Sequence, residues 1–431
     1  MTVGAFSEWR KLPISISELC INTTLRCGQS FRWHKLPDND EWRCVLYGHL
    51  VSLKQDPTHL HYRTYINPKS PSTSTSPNPE DTALAIIKHY FNLSSNLTSL
   101  YAQWSSSDPN FRKKASSFTG IRILRQDAWE ALISFICSSN NNIARIGQMV
   151  EKLCVNYGVH VADVDGRAYH DFPPPERLAE DSGVEAKLRS LGFGYRAKYI
   201  YQTANIVAKE REKGWLNSLR NPEAPAFGKA EAEAEGGTSG EEDIPPEGRS
   251  GYRDAHDKLL ELQGVGPKVA DCVALMGLGW GESVPVDTHV WQIAVRDYKF
   301  GRGSHKSLTK ATYDAVGNHF RKLWGKEAGW AHSVLFTADL KTFSDRLVAT
   351  TKQAKVDIKV KKEEAEGEDK TNEEDKTQIT ATTTVTNVSL KRSADDDKIK
   401  LEPDDKKVKV AIKSATETAT GARRSSRRIR R

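Results

Sequence analysis

Lys268 is the residue whose place in the sequence most favours covalent chemistry. It follows Gly264-Val265-Gly266-Pro267, in which the glycines allow a tight turn and the proline suits the first turn of a helix. The positive end of the helix dipole disfavours an ammonium there, and an amine that readily loses its proton is a candidate nucleophile. A lysine that only contacts a phosphate beside the turn is the alternative.

Asp287 is the carboxylate best placed to act with Lys268. It closes the segment Val284-Pro285-Val286-Asp287 and precedes a predicted helix over Thr288–Tyr298, so its side chain can cap that helix. A carboxylate held near the amine could also accept a proton, or offset positive charge that develops on a substrate. Because capping fixes the position of the side chain, the two roles are compatible.

The elements that position Lys268 are two predicted helices joined by a tight hairpin, over 254–279. Apolar residues recur at helical spacing after the turn, at Val269, Cys272, Val273 and Met276. The hairpin amides, including those of Gly264 and Gly266, and the N-terminus of the second helix direct positive dipole toward one place. This arrangement suits a phosphate of DNA.

The composition bounds the class of protein. The chain has 431 residues, of which 38% are hydrophobic and 28% charged, which predicts two or three domains and some disordered chain. A net charge of +7 favours a polyanionic partner. No apolar run suits a membrane helix, no secretory signal opens the sequence, and the six cysteines form no C-x-x-C pair. We therefore expect a monomer with no membrane span, no metal site, no other cofactor and no disulfide framework.

The first 120 residues are predicted to be rich in strands. Alternating apolar and polar residues indicate strands over Gln29–His34, Trp42–Leu53 and His59–Ile66. A stretch rich in proline, serine and threonine over 67–80 is predicted to be a loop. Helices are predicted after it, over Asp81–Phe91 and Asn96–Ser106.

From residue 121 to residue 346 the pattern becomes helical. The predicted helices, besides the two around the hairpin, are Ala128–Ser138, Ile143–Tyr157, Ala197–Lys213, Thr288–Tyr298, Lys306–Trp324 and Gly329–Leu340. A segment over 221–250, rich in proline, glycine, alanine and glutamate, is predicted to be a flexible insertion.

The last part of the chain, over 350–431, is predicted to be a disordered charged tail, because it carries blocks of charge and few aromatic residues. Basic clusters lie at Lys406-Lys407-Val408-Lys409 and in the last ten residues, which include six arginines. These clusters indicate nuclear import or nonspecific contact with nucleic acid, and a simple solvated tail is the alternative.

Several separated motifs resemble one known family. The hairpin with Lys268, followed by Val-Pro-Val-Asp287, resembles the helix-hairpin-helix, Gly/Pro-Asp superfamily of DNA glycosylases. Four further motifs narrow the resemblance to the eukaryotic 8-oxoguanine DNA glycosylase/AP lyase: Gly28–Trp33, Ser138–Arg145, Leu191–Arg196 and Ala328–Trp330. The resemblance covers roughly residues 5–345 outside two loops, and several motifs in one order are far more specific than a lone hairpin.

The resemblance implies an α+β fold class, with an antiparallel, β-rich N-terminal domain beside an all-helical helix-hairpin-helix glycosylase domain. It implies that the damaged nucleotide is flipped out of the duplex and that Lys268 attacks C1′ as the base leaves. The resulting Schiff base permits β-elimination, which cuts the strand. Asp287 would support charge at the sugar and position the lysine. Monofunctional relatives lack the lysine, so Lys268 indicates lyase activity.

Recognition of the base can be argued from its edges. 8-Oxoguanine carries a hydrogen at N7, where guanine has an acceptor. The resemblance assigns the carbonyl that accepts this hydrogen to Gly28, and places Phe336 and Cys272 on the two faces of the extruded base. For Cys272, a small core hydrophobe is the alternative.

His332 is a departure from the family, which typically has a glutamine there to read the Watson–Crick edge of the base. A neutral imidazole offers one donor and one acceptor. With an ordinary pKa of about 6.5, it would make base excision depend on pH between roughly 5.5 and 7.5. A histidine of the core or the helix surface is the alternative.

The remaining contacts implied by the resemblance are to DNA. Asn140, Arg145 and Arg196 match the residues that read the widowed cytosine, Tyr195 matches the wedge into the gap, and His289 matches a phosphate contact. The expected partner is double-stranded DNA containing an oxidised purine, and the expected location is the nucleus, with a mitochondrial form left open. Two alternatives remain: a glycosylase for other damaged purines, and a non-catalytic DNA-binding protein.

Overall fold

The computed structural model describes residues 4–66, 79–229, 244–301 and 307–346. The strands are β1 Ala5–Phe6, β2 Arg10–Pro13, β3 His34–Lys35, β4 Trp42–Leu46, β5 His49–Gln55, β6 His59–Ile66, β7 His160–Val164 and β8 Arg167–His170. The helices are α1 Ile21–Thr24, α2 Pro79–Tyr90, α3 Leu97–Ser107, α4 Pro109–Ala115, α5 Ala128–Ile136, α6 Ile143–Tyr157, α7 Pro175–Leu178, α8 Gly183–Ser190, α9 Arg196–Asn205, α10 Trp215–Ser218, α11 Ser250–Leu260, α12 Pro267–Met276, α13 Thr288–Tyr298, α14 Lys310–Trp324 and α15 Ala328–Asp339.

The N-terminal region is an antiparallel six-stranded sheet, which confirms the strand-rich prediction. The strand order is β1-β6-β5-β4-β3, and β2 also pairs with β6. Helix α2 packs its apolar face, with Ile86 and Ile87, against buried residues of this sheet such as Val51 and Leu53. The sheet therefore has its own core, closed by a helix.

The prediction of one strand over Trp42–Leu53 is wrong, because the chain reverses in the middle of it. Leu46 pairs with His49, and both residues of the two-residue turn have positive φ, 50° at Tyr47 and 79° at Gly48. This geometry matches the right-handed twist of a hairpin. The expected signal, Asn or Asp before glycine, is a tyrosine here, so the turn was not recognised.

The prediction of a strand over Gln29–His34 is also wrong, since only His34 begins β3. The buried Gln29 side chain donates to the Arg122 carbonyl at 2.9 Å and accepts from the Leu124 N–H at 3.0 Å. Side-chain hydrogen bonds of this kind satisfy the backbone without a ladder. They fasten the segment after Gly28 to the start of the helical region.

A hairpin of β7 and β8, which was not predicted, interrupts the helices between α6 and α7. Its turn is Asp165-Gly166, with φ values of 51° and 76°, and aspartate followed by glycine is a strong hairpin signal. Ala162 and Tyr169 of the hairpin pack with Val45 and Leu50 of the sheet. The hairpin therefore joins the helical region to the N-terminal sheet.

The predicted insertion over 221–250 includes two stretches that pack against the folded body. The Asn221 N–H donates to the Leu278 carbonyl at 2.9 Å, and Phe227 stacks on Tyr47 with ring centroids 4.7 Å apart. At the other end, Arg249 pairs with the buried Glu282 at 2.8 Å. Residues 230–243, most of the predicted loop over 67–80, and the predicted tail over 350–431 lie outside the described residues.

The predicted helix over Ala197–Lys213 is divided in the structure. Helix α9 is α-helical as far as Asn205, and a π-helical turn follows directly over Ile206–Glu210. Within the described residues, no helix is long and apolar enough to cross a membrane, and no group of three His, Cys, Asp or Glu side chains could hold a metal ion.

Candidate active site and nucleic-acid interface

Lys268 lies in the first turn of α12, half-buried, directly after the hairpin. Pro267 occupies the first helical position, where its missing N–H costs no hydrogen bond. The Lys268 Nζ lies 5.3 Å from the ring centroid of Phe135, a buried residue of α5. Phe135 was not predicted to belong to the site, because only the packing of α5 against α12 brings it there.

Gly264 and Gly266 occupy the hairpin for different structural reasons. Gly264 has a φ of 78°, and a Cβ there would lie 2.7 Å from the Cβ of Tyr199. A side chain at Gly264 is therefore excluded both by backbone conformation and by space. At Gly266 a Cβ would meet nothing within 4 Å. The surface above Gly266 is open, so the amides at the start of α12 are accessible to a large anion.

Asp287 caps α13, as predicted. Its Oδ1 accepts from the backbone N–H groups of His289 at 2.9 Å and Val290 at 3.0 Å. The cap holds the carboxylate at the edge of the cavity that Lys268 also lines. The buried His332 lines the same cavity; burial lowers its pKa, Lys268 acts in the same direction and Asp287 opposes the shift.

One small cavity brings together residues predicted from widely separated segments. Its lining includes both candidate catalytic residues and all four candidate base-contacting residues: Gly28, Lys268, Cys272, Asp287, His332 and Phe336. Its volume of about 60 Å³ is far below the roughly 300 Å³ at the lower end for small-molecule pockets. The side chains around the cavity must therefore move apart before a purine base can enter.

Cys272 and Phe336 differ in burial. Cys272 is buried one helical turn after Lys268, and burial raises the pKa of its thiol to about 11, although the neighbouring Lys268 acts in the opposite direction. The thiol is therefore neutral at physiological pH. Phe336 is only half-buried, and its ring lies 6.2 Å from that of His289 and 6.4 Å from that of His332. Phe336 therefore lies between two histidine rings at the cavity and remains partly accessible to solvent.

His332 corrects an expectation from the sequence. The side chain is only 5% exposed, and burial lowers its pKa to about 4 despite the opposing effect of Asp287. The predicted titration between pH 5.5 and 7.5 is therefore wrong, because desolvation penalises the imidazolium. Within the described part of the chain, neither ring nitrogen has a hydrogen-bond partner. A neutral imidazole with an unused donor and an unused acceptor thus faces the cavity.

Three of the predicted DNA-contacting residues lie together away from the cavity. Asn140 has a φ of 48°, and the Arg196 guanidinium donates to its carbonyl at 3.2 Å and to the carbonyl of Ser139. Arg196 also lies over the ring of Tyr195, at 4.5 Å. The Tyr195 side chain is 47% exposed and donates to the Ser139 carbonyl at 3.1 Å. The structure therefore presents an exposed aromatic ring that a buried arginine supports.

Arg145 and His289 are exposed on helix N-terminal turns. The Asn142 side chain caps α6 by accepting from the Arg145 backbone N–H at 2.9 Å, so the Arg145 side chain projects from the first turn of that helix. His289 is the second residue of α13, and its backbone N–H donates to the Asp287 cap at 2.9 Å. Both positions suit phosphate or base contacts, because helix N-termini carry positive dipole.

Comparison with known proteins identifies the family of the chain. The family described as 8-oxoguanine DNA glycosylase, N-terminal domain, matches residues 11–132, and the helix-hairpin-helix Gly/Pro-Asp superfamily of base excision DNA repair proteins matches residues 133–324. The N-glycosylase/DNA lyase of Saccharomyces cerevisiae is 37% identical over 83% of this chain and 93% of its own length. The N-glycosylase/DNA lyase OGG1 of Arabidopsis thaliana is 36% identical over 77% and 80%.

Solved structures show the same fold. MBOgg1 in complex with a low-affinity DNA ligand has a TM-score of 0.59 at 26% identity, over 78% of this chain and 98% of that one. The 8-oxoguanine glycosylase/lyase of Clostridium acetobutylicum, bound to DNA containing cytosine opposite 8-oxoguanine, has a TM-score of 0.57 at 24% identity, over 74% and 91%. The chain belongs to the 8-oxoguanine DNA glycosylase family, and it is a DNA glycosylase with lyase activity.

Proposed function

We propose that this enzyme excises 8-oxoguanine opposite cytosine in double-stranded DNA and cuts the strand through a Schiff base on Lys268. The observation that carries the proposal is the convergence of an amine, a carboxylate and all four candidate base-contacting residues on one cavity. The target base cannot be reached inside the stack, so the nucleotide must be flipped out before it meets the cavity.

The chemistry assigns distinct steps to Lys268 and Asp287. The deprotonated Nζ of Lys268 forms a bond to C1′, and the C1′–N9 bond breaks with its electron pair leaving on the base, which takes up a proton. After the nitrogen loses a proton, its lone pair forms the C1′=N double bond of the Schiff base while the C1′–O4′ bond breaks and O4′ takes up a proton. Loss of a proton from C2′ expels the 3′ phosphate and cuts the strand. The capped carboxylate of Asp287 offsets the positive charge at the sugar.

Base selection is assigned to the cavity wall. The Gly28 carbonyl accepts the N7 hydrogen that 8-oxoguanine has and guanine lacks. Gly28 has a φ of 85°, a conformation that glycine adopts without strain. Cys272 and Phe336 contact the two faces of the base, and the neutral imidazole of His332 meets its Watson–Crick edge.

Contacts outside the cavity position the duplex. We assign the widowed cytosine to Asn140, Arg145 and Arg196, and the gap in the stack to Tyr195. The amides at Gly264 and Gly266, together with His289, take phosphates. Arg196 must exchange its present carbonyl partners for cytosine acceptors, which five guanidinium donors allow.

A wider range of oxidised purines is the second candidate function, and His332 is the observation that favours it. With neither nitrogen engaged by described residues, the neutral imidazole can adopt either tautomer. One tautomer presents an acceptor to the N1–H of a guanine-type base, and the other presents a donor to the N1 lone pair of an adenine-type base. The non-catalytic alternative is dropped, because the chain belongs to a family of N-glycosylase/DNA lyases.

Single-turnover excision on matched duplexes tests the proposal. We expect rapid excision of 8-oxoguanine opposite cytosine, no excision of guanine, and slower excision opposite the other three bases. The control is Lys268→Gln, which keeps the hairpin but lacks the nucleophile. Equal excision of guanine and 8-oxoguanine would contradict the role of Gly28, and strand cutting by Lys268→Gln would contradict the role of the lysine.

The proposal extends to the enzyme's binding partner, its oligomeric state and its location in the cell. We infer a monomer acting on DNA in the nucleus, with the basic clusters near Lys406 and in the last ten residues as the import signal. A fusion of residues 350–431 to a cytoplasmic reporter should accumulate in the nucleus. Even distribution of that reporter would contradict the import role, and a mass of two chains in solution would contradict the monomer.

A further inference from the structure

Asp271 is a buried carboxylate of α12 that is not part of the described lining of the cavity. It lies three residues after Lys268 and is only 1% exposed. Its Oδ1 accepts from Tyr252 Oη of α11 at 2.5 Å and lies 2.8 Å from Ser283 Oγ, and its Oδ2 accepts from Tyr313 Oη of α14. Hydrogen bonds to a buried charge are among the strongest that side chains make, so this cluster fixes the rotation of α12.

Tyr313 differs from the other hydroxyls in having a second partner close to Asp287. Its hydroxyl donates to Asp271 and also accepts from the backbone N–H of Val286, at 3.4 Å. Val286 directly precedes Asp287. One phenolic oxygen therefore joins the helix that carries Lys268 to the segment that carries Asp287. Tyr252 binds the same carboxylate from α11, and its hydroxyl also interacts with Ser283, three residues before Val286, but it makes no bond to Val286 among the described residues.

We propose that Tyr313 is a positioning residue for the glycosylase/lyase reaction, because its hydroxyl sets the separation of Lys268 and Asp287. The inference rests on the proposed roles of those two residues. Chain connectivity alone does not set this separation, because the loop over 277–286 lies between α12 and Asp287. The Ser283 hydroxyl also joins Asp271 to this loop, at 2.8 and 2.9 Å, but four residues before Asp287, whereas the Tyr313 bridge ends at Val286, next to the carboxylate.

The size of the expected effect follows from geometry. Nucleophilic attack requires a near-attack arrangement, and misplacement by about 1 Å costs on the order of 100-fold in rate. Loss of the Tyr313 hydroxyl frees the Val286 N–H and one oxygen of Asp271, so α12 and the loop can shift relative to each other. The aromatic ring stays in Tyr313→Phe, so packing is kept and the DNA-binding hairpin is unchanged.

Tyr252→Phe is the matched control for Tyr313→Phe. Each variant removes one hydroxyl from the same buried carboxylate, so the two lose comparable stability, but only Tyr313→Phe breaks the link to Val286. We expect Tyr313→Phe to lower the single-turnover excision rate by about 10- to 100-fold, with the Kd for a lesion duplex within about twofold of wild type. Tyr252→Phe should lower the rate by less than about threefold.

All rates are measured below the lowest melting temperature of the set, which separates positioning from unfolding. Equal rates for the two variants, or a change confined to Kd, would overturn the inference. Borohydride trapping of the wild type runs in parallel. If wild type traps and Tyr313→Phe excises at the wild-type rate, only the positioning role fails. If wild type does not trap, the proposed function fails, and the inference with it.

Discussion

The buried His332 predicts a measurable link between pH and stability. The folded protein holds this imidazole at a pKa of about 4, whereas an unfolded chain restores the ordinary value of 6.5. Between these values the unfolded chain binds the proton and the folded chain does not, so stability falls as the pH falls from 6.5 toward 4. Well above pH 6.5 the imidazole is neutral in both states, so His332 then causes no loss of stability.

The magnitude follows from the two pKa values. Going from pH 7 to pH 5 should lower the free energy of unfolding of the wild type by about 2 kcal/mol more than that of His332→Gln. Other buried histidines, such as His89, whose pKa burial also lowers, to about 3, are present in both proteins and cancel. The difference of differences therefore isolates His332.

The free energy of unfolding is measured with denaturant at pH 7 and pH 5, on wild type and His332→Gln in parallel. An equal loss of stability in the two proteins would refute the reasoning, because His332 would then titrate normally in the fold. A larger loss in the variant would refute it as well. The comparison does not depend on whether the substitution itself changes stability at pH 7.

Three further predictions concern the site and the tail. Gly28→Ala should abolish selective excision of 8-oxoguanine but affect cleavage of a preformed abasic site less, because φ is 85° and the new Cβ would lie 3.2 Å from Ile143 Cδ1; equal losses on both substrates would indicate a folding defect instead. Asp287→Asn should lower the excision rate strongly but the free energy of unfolding by less than about 1 kcal/mol, since asparagine also caps helices well. A melting curve checks the stability, and an unchanged excision rate would contradict the catalytic role. Truncation after Thr350 should preserve excision on short duplexes but reduce the salt dependence of nonspecific binding, because the basic clusters are removed; a truncated protein that is folded but inactive would contradict the accessory role.

Much of the fold could be predicted from sequence patterns that extend over only a few residues. The Gly264–Gly266 hairpin, the proline after it and the Asp287 cap were predicted because each depends on backbone conformation within a few residues. The turn at Tyr47-Gly48 shows the limit of the same reasoning. Tyr47 occupies a position where asparagine or aspartate usually marks a hairpin, so tertiary pairing of β4 with β5 decided the outcome.

The site was predicted less completely than the fold, because parts of it exist only in three dimensions. Phe135 reaches Lys268 through the packing of α5 on α12, and Tyr313 reaches Asp271 and Val286 from a helix far along the chain. For His332, the sequence named the residue but not its environment. His332 is buried and has no hydrogen-bond partner among the described residues, so it is neutral where the sequence predicted titration.

The most direct test of the central claim is to locate the covalent bond. The wild-type enzyme is incubated with a duplex containing 8-oxoguanine opposite cytosine, the Schiff base is reduced with borohydride, and the digested adduct is mapped by mass spectrometry. The account predicts a deoxyribose-derived mass on the peptide that contains Lys268, and no adduct with Lys268→Gln. An adduct on any other amine, or trapping that survives the substitution, would contradict it.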